Sequence, residues 1–147
     1  MQLIRNVPFF SDLSHDFCRI LAYLCERQIF SVHQLIQREG DMADMAVILV
    51  RGTAHILHGG RQIAPAAQGS CVGGLALLGQ FRWLYSLRAE TEVECLLLPR
   101  HKFLPQFIAQ PDALVAVARE LIGTVVAWEQ RQLARPGEMR SYGLAMI

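Results

Sequence analysis

The chain has 147 residues, 52% of them hydrophobic and 18% charged, with a formal net charge of +1. That length suits one domain with a real core, and the apolar content excludes a disordered chain. The basic residues are scattered arginines with Lys102 the only lysine, so no broad field recruits nucleic acid or an anionic membrane surface.

Four cysteines, Cys18, Cys25, Cys71 and Cys95, form no CxxC pair and have no histidine at zinc-ligand spacing. Cys18 and Cys25 fall on one predicted helix, roughly 10 Å apart along its axis, too far for a disulfide. Free thiols in a reducing cytosol are expected, with no metal. No signal peptide or bilayer-length apolar run is visible. A cytoplasmic location is expected. Membrane contact would come only through a parent segment outside this sequence, placing the domain on a membrane protein's cytosolic face.

In chain order, Val7-Pro8-Phe9-Phe10 is an apolar start interrupted by proline. Ser14 is a good N-cap, and Phe17, Ile20, Leu21 and Leu24 recur at helical spacing, which predicts an amphipathic helix from about 14 to 25. From Arg27 the pattern turns to short β-prone runs with turn signals between them. Gln28 to Val32 and Gln34 to Arg38 are candidates, and Gly40-Asp41 makes a turn. Met45 to Arg51, MAVILVR, is the strongest strand and reads as buried on both faces. Thr53 to Leu57 and Arg61 to Ala64 flank a tight Gly59-Gly60 hairpin. Leu84 to Ala89 and Val93 to Leu98 complete the set. The expectation is an α+β fold: an antiparallel jelly roll of about eight strands with an N-terminal helix and C-terminal short and long helices.

The roll is expected over about 27–98 and the C-terminal helices over about 100–134. Arg100 to Ile108 reads as a short helix limited by Pro105, and Pro111-Asp112 starts a long one. Leu114, Val117, Leu121, Val125 and Trp128 form one apolar stripe on it, with Val115, Ile122 and Val126 beside it. A helix apolar on two faces needs two surfaces: either both lie within this domain, or one is the roll and the other the tail or a partner subunit. Pro136-Gly137 ends the helix. The domain is thus 1–135 and the tail 136–147.

The stretch Gly69 to Ala89, GSCVGGLALLGQFRWLYSLRA, concentrates the small residues. Glycines before a short helical turn, Leu75 to Leu78, let the backbone turn tightly and point N–H groups at an anion. The other reading is a plain glycine-rich loop between two strands.

Several ordered marks resemble the cyclic-nucleotide-binding domain family over nearly the whole chain. Val7-Pro8-Phe9-Phe10 is similar to its VPLF opening, and Ile36 to Ala43, IQREGDMA, to its I-I-R-x-G-D turn. Ile48 to Leu57, ILVRGTAHIL, resembles its F-I-x-x-G-x-V-x-V strand pair. Val72 to Leu78, VGGLALL, resembles F-G-E-L-A-L-L, the core of the phosphate-binding cassette. Leu87 to Leu98 resembles V-x-A-x-x-D-x-E-L-L-x-L.

The resemblance implies a ligand set of Val72, Gly73, Gly74, Leu75, Ala76, Arg82, Trp83, Leu84, Tyr85 and Ser86, with cyclic AMP, cyclic GMP or a nucleoside as ligand and no cofactor. It also implies a departure. The family's ribose-binding glutamate falls at Gly74 and its phosphate-binding arginine at Trp83. Arg82 stands one residue earlier, and the family's T-A-T becomes Leu84, Tyr85 and Ser86. A buried phosphate left without its cation costs about 3–5 kcal/mol, and an unpaired ribose hydroxyl about 1–3 kcal/mol more. The amides of Gly73 to Leu75 would remain to hold an anion. Arg82 either swings in to replace the missing cation or faces solvent. Trp83 either fills the phosphate space, stacks on a base, or caps the edge of the roll. Arg88 reads as a surface strand residue.

No catalytic constellation emerges. Ser31, Ser70 and Ser86 lack an ordered partner set. His55 and His58 are three apart on a strand and point to opposite faces, and Glu92 and Glu94 have no acid–base context. No enzyme is expected. Too few residues follow the long helix for a winged helix-turn-helix, so no nucleic-acid partner is expected.

Two functions follow from the resemblance. One is a sensor with weak or atypical nucleotide binding, serving a channel, exchanger or kinase. The other is a ligand-independent structural or interaction module. Its pocket would be filled by its own tail, where Tyr142-Gly143-Leu144 resembles the built-in triplet of some channel members. The partners implied are a small nucleotide, the rest of a larger protein, or a second copy through the C-terminal helix.

Overall fold

A computed structural model describes residues 2–7 and 10–134 of the chain. Two helices come first, α1 (Gln2–Arg5) and α2 (His15–Leu24). Ser14 caps α2, its hydroxyl accepting the Phe17 N–H at 3.2 Å. The buried stripe is Phe17, Cys18 and Leu21. The short α1 was not foreseen.

Ten strands follow among the described residues: β1 (Glu26–Phe30), β2 (Leu35–Gln37), β3 (Met42–Ala43), β4 (Met45–Arg51), β5 (Ala54–His58), β6 (Arg61–Ala66), β7 (Cys71–Val72), β8 (Phe81–Arg82), β9 (Ser86–Ala89) and β10 (Val93–Pro99). The seven longer strands correspond to the seven runs named from sequence, and the additions β3, β7 and β8 are two-residue strands, too short for any alternation to register in sequence. Four strands pair in the order β1-β10-β4-β7, four in the order β2-β9-β5-β6, and β3 pairs with β8. Every pairing is antiparallel, which gives the α+β jelly roll expected from sequence. The β5–β6 hairpin turns through Gly59 and Gly60 at φ 56° and 78°, the positive-φ pair that a two-residue hairpin turn requires.

β4 shows why its sequence is apolar without alternation. Ala46 and Ile48 face a core shared with Phe17, Leu21, Phe103 and Phe107 of the helices. Val47 and Leu49 face a second core inside the roll, with Ile36, Ile56, Leu87 and Leu97. The strand is a wall between two cores, so both of its faces are buried. β10 does the same, with Cys95 and Leu97 inward and Leu98 toward the helices.

The C-terminal helices are α3 (Arg100–Ile108), which accommodates Pro105 in its interior, and α4 (Pro111–Ala134). Ala113 and Val117 of α4 are buried, whereas Leu114, Val115, Ile122, Val125 and Val126 are exposed. Only the first turns of the expected stripes meet the domain. No helix among the described residues is long and apolar enough to cross a membrane.

Candidate functional site

β7 is held beside β4, with Val72 opposite Val47 and Cys71 opposite Ile48. The chain then turns through Gly73 at φ 81°, ψ 26°, a left-handed conformation that favours glycine. A 3-10 turn, Gly74–Leu77, follows and is closed first by the Ala76 N–H donating to Gly73 O at 2.9 Å. The amides of Gly74 and Leu75 precede that bond and are the donors such a turn leaves open at its start. Gly73, Gly74, Ala76 and Leu77 are buried and Leu75 is half-buried. The glycines thus lead into the short helical turn expected from sequence, here a 3-10 turn.

The segment facing the cradle is fixed by its backbone. β8 pairs with β3, Arg82 opposite Met42. The Trp83 N–H donates to Asp41 O at 2.9 Å, and Trp83 O accepts the Gly40 N–H at 2.8 Å. With the backbone so pinned, adjacent side chains take opposite directions. Arg82 is exposed and its Nη1 donates to Gly40 O at 2.9 Å. Trp83 is only 4% exposed and packs with Ala43, Ala76 and Phe81. A Cβ placed on Gly73 would overlap Cη2 and Cζ3 of the indole. Glycine is thus needed at 73 for the ring as well as for the turn. The rings of Phe81 and Tyr85 flank the indole, at centroid distances of 5.8 and 6.4 Å.

The other residues of the expected set divide. Tyr85 is buried, and burial pushes its hydroxyl well above the ordinary range, with the neighbouring Gln37 carboxamide acting the other way. Val72 shares the roll's interior core with Tyr85. Leu84 is 67% exposed, and its carbonyl accepts from Nδ1 of His58 at 2.9 Å. The Ser86 hydroxyl accepts the Glu39 N–H at 2.9 Å and so serves the loop after β2. Arg82 and Leu84 therefore stand apart from the cradle, while Val72 to Ala76, Trp83 and Tyr85 converge.

Arg100 escaped the sequence reading as a site residue. Its Nη1 donates to three carbonyls, Ala43 O at 2.9 Å, Ala76 O at 3.0 Å and Gly79 O at 2.6 Å, while its N–H donates to Asp44 O at 2.7 Å. One guanidinium thus joins β3, the 3-10 turn and the start of α3. Its place just after Pro99, at a strand–helix junction, is the only signal the sequence offered. The two ends of the cradle are treated differently. The carbonyl end receives a cation, and beside Gly73 at the amide end the neighbour is an uncharged indole. Burial pushes the nearby Cys71 thiol up to about 12. Among the described residues no three histidine, cysteine, aspartate or glutamate side chains converge to hold a metal.

A family model described as cyclic nucleotide-binding domain matches residues 27–110. Solved structures share the fold. A cyclic nucleotide-binding-like protein from Brucella abortus is 29% identical with a TM-score of 0.66, over 72% of this chain and 95% of that one. The N-terminal domain of a transcriptional regulator from Streptomyces coelicolor is 20% identical with a TM-score of 0.74, over 95% and 99%. A putative cyclic nucleotide-binding protein from Geobacter metallireducens is 18% identical with a TM-score of 0.69, over 81% and 89%. No curated protein matches the chain significantly.

Proposed function

We propose that this chain, which belongs to the cyclic nucleotide-binding domain family, is a non-catalytic cytosolic regulatory module in which cyclic nucleotides bind weakly or atypically. One observation carries the reading: the buried Trp83 ring lies against Gly73, where the family's guanidinium is expected. Gly74 adds no carboxylate for a ribose hydroxyl. Seating a cyclic phosphate here requires displacing an indole held by three apolar neighbours, and no cation then meets the charge. That deficit, about 3–5 kcal/mol, lowers affinity by a factor of hundreds or more. Arg82 would have to leave Gly40 O and turn inward against the β3–β8 pairing to make it good.

Calorimetric titration with cyclic AMP and cyclic GMP to millimolar concentration tests this. The expected response is flat or saturates only near millimolar ligand. Saturation at micromolar ligand or below overturns the reading.

A second reading, a ligand-independent interaction module, is favoured by α4. Val115, Ile122, Val126 and Leu133 are 48%, 63%, 45% and 81% exposed, more apolar surface than one isolated helix face ordinarily shows to water. A second copy or another part of a channel, exchanger or kinase is the partner this reading supplies. The Tyr142-Gly143-Leu144 triplet lies outside the described residues.

A further inference from the structure

We infer that Gln37 and Tyr85 form a recognition pair inside the roll for a neutral, planar ligand with a hydrogen-bond donor and acceptor side by side, as on the edge of a nucleobase or nucleoside. The inference rests on the proposed reading of a site without a phosphate partner, and names what such a site takes instead.

Gln37 is 5% exposed, the one buried polar or charged residue among those described. Its position is not an accident of strand alternation. β2 pairs with β9 through Leu35 opposite Arg88 and Gln37 opposite Leu87, with an irregularity between them. That irregularity lets the consecutive residues Ile36 and Gln37 both be buried, where a regular strand would turn one of them to solvent. Directly opposed residues share a face, so Gln37 lies with Leu87 on the inward side, and Tyr85, two residues before Leu87, joins them in the interior core.

The carboxamide is costly where it stands. Neither Nε2 nor Oε1 completes a hydrogen bond with a protein group. Buried polar groups are otherwise almost always satisfied, and a leucine here would serve the core without that penalty. The Tyr85 hydroxyl lies close enough to Gln37 for the two to interact. Burial keeps that phenol protonated, so the pair stays neutral across the physiological range. The Trp83 ring, 6.4 Å from that of Tyr85, adds an aromatic wall.

This chemistry selects a ligand class. A carboxamide offers an N–H donor and a carbonyl acceptor in one plane, the complement of a base edge or a lactam. A carboxamide and a phenol bring no charge to balance an anion. Phosphate therefore contributes nothing, and a nucleoside should bind at least as tightly as its cyclic monophosphate.

Calorimetry on the whole chain with adenosine, guanosine and cyclic AMP provides the test. At least one nucleoside is expected to bind saturably and no more weakly than cyclic AMP. Gln37→Leu is expected to weaken that binding at least about tenfold, the loss of about one hydrogen bond, while its melting temperature stays equal or rises. If Gln37→Leu does not fold, Gln37→Met carries the same expectation. Nucleosides that give no saturable response, or binding that survives Gln37→Leu, overturn the inference while leaving the weak-binding reading intact. Tight cyclic AMP binding without nucleoside binding overturns both.

Discussion

Inside the sheets, the buried side chains of β4 meet neighbours of their own kind: Val47 and Leu49 the apolar interior of the roll, Ala46 and Ile48 the aromatic floor under the helices. In the cassette the backbone keeps a shape suited to an anion, with Gly73 left-handed and a 3-10 turn behind it, yet the side chain packed against it is an indole. The sheet's geometry and chemistry agree. The cassette's have come apart. The difference teaches that the turn does not depend on a ligand for its shape: Arg100 ties down its carbonyl end and Trp83 fills its flank.

The strongest way to break the comparison is to empty the flank. Trp83→Ala should cost about 3–5 kcal/mol in urea denaturation, as for other buried aromatic truncations. Gly73→Ala should cost about 2–4 kcal/mol, from the left-handed backbone plus overlap with the indole. In the Trp83→Ala background the same glycine change should fall to about 1–2 kcal/mol, the backbone part alone. Strict additivity of the two changes would show that the ring and the turn are not in contact.

The carbonyl end gives the next effect. Arg100→Met should cost about 2–3 kcal/mol by leaving partly buried carbonyls without their charged donor. Arg100→Lys should recover only part of it, because an ammonium lacks the fixed fork of donors. A loss below about 0.5 kcal/mol, the size of an ordinary surface change, would mean that the guanidinium does not secure the cassette.

The sheets are probed by alkaline pH rather than by substitution. Burial raises Cys71 and Cys95 from 9.0 to about 12 and Cys25 to about 11. Above pH 9 the unfolded chain loses these protons while the folded chain keeps them, so stability falls as pH rises from about 9 toward 12. Denaturation midpoints at successive alkaline pH values should decline. A midpoint that holds steady or rises across that window would contradict the burial of the thiols.

Much of this was legible in the sequence, for identifiable reasons. MAVILVR announced a strand with two buried faces, and the paired glycines fixed the β5–β6 turn. The order of turn and cassette motifs gave the roll. Less legible were features set by tertiary contacts. Arg82 and Trp83 are neighbours, and which one turns inward depends on the hydrogen bonds of Trp83 with Gly40 and Asp41, more than forty residues away. Gln37 looked like an ordinary strand residue because the irregularity that buries it arises only when β2 meets β9. Arg100 read as the start of a helix, since its acceptors lie in three separate segments. The apolar stripes on α4 were visible as stripes, but their exposure is a property of what surrounds the helix.

The central claim is that Trp83, not a cation, occupies the flank of Gly73. A crystal structure grown in millimolar cyclic AMP tests it most directly. The account predicts the indole still against Gly73 and Arg82 still on the Gly40 carbonyl. A cyclic phosphate seated on the Gly74 and Leu75 amides, gripped by Arg82 with the indole swung aside, would contradict it.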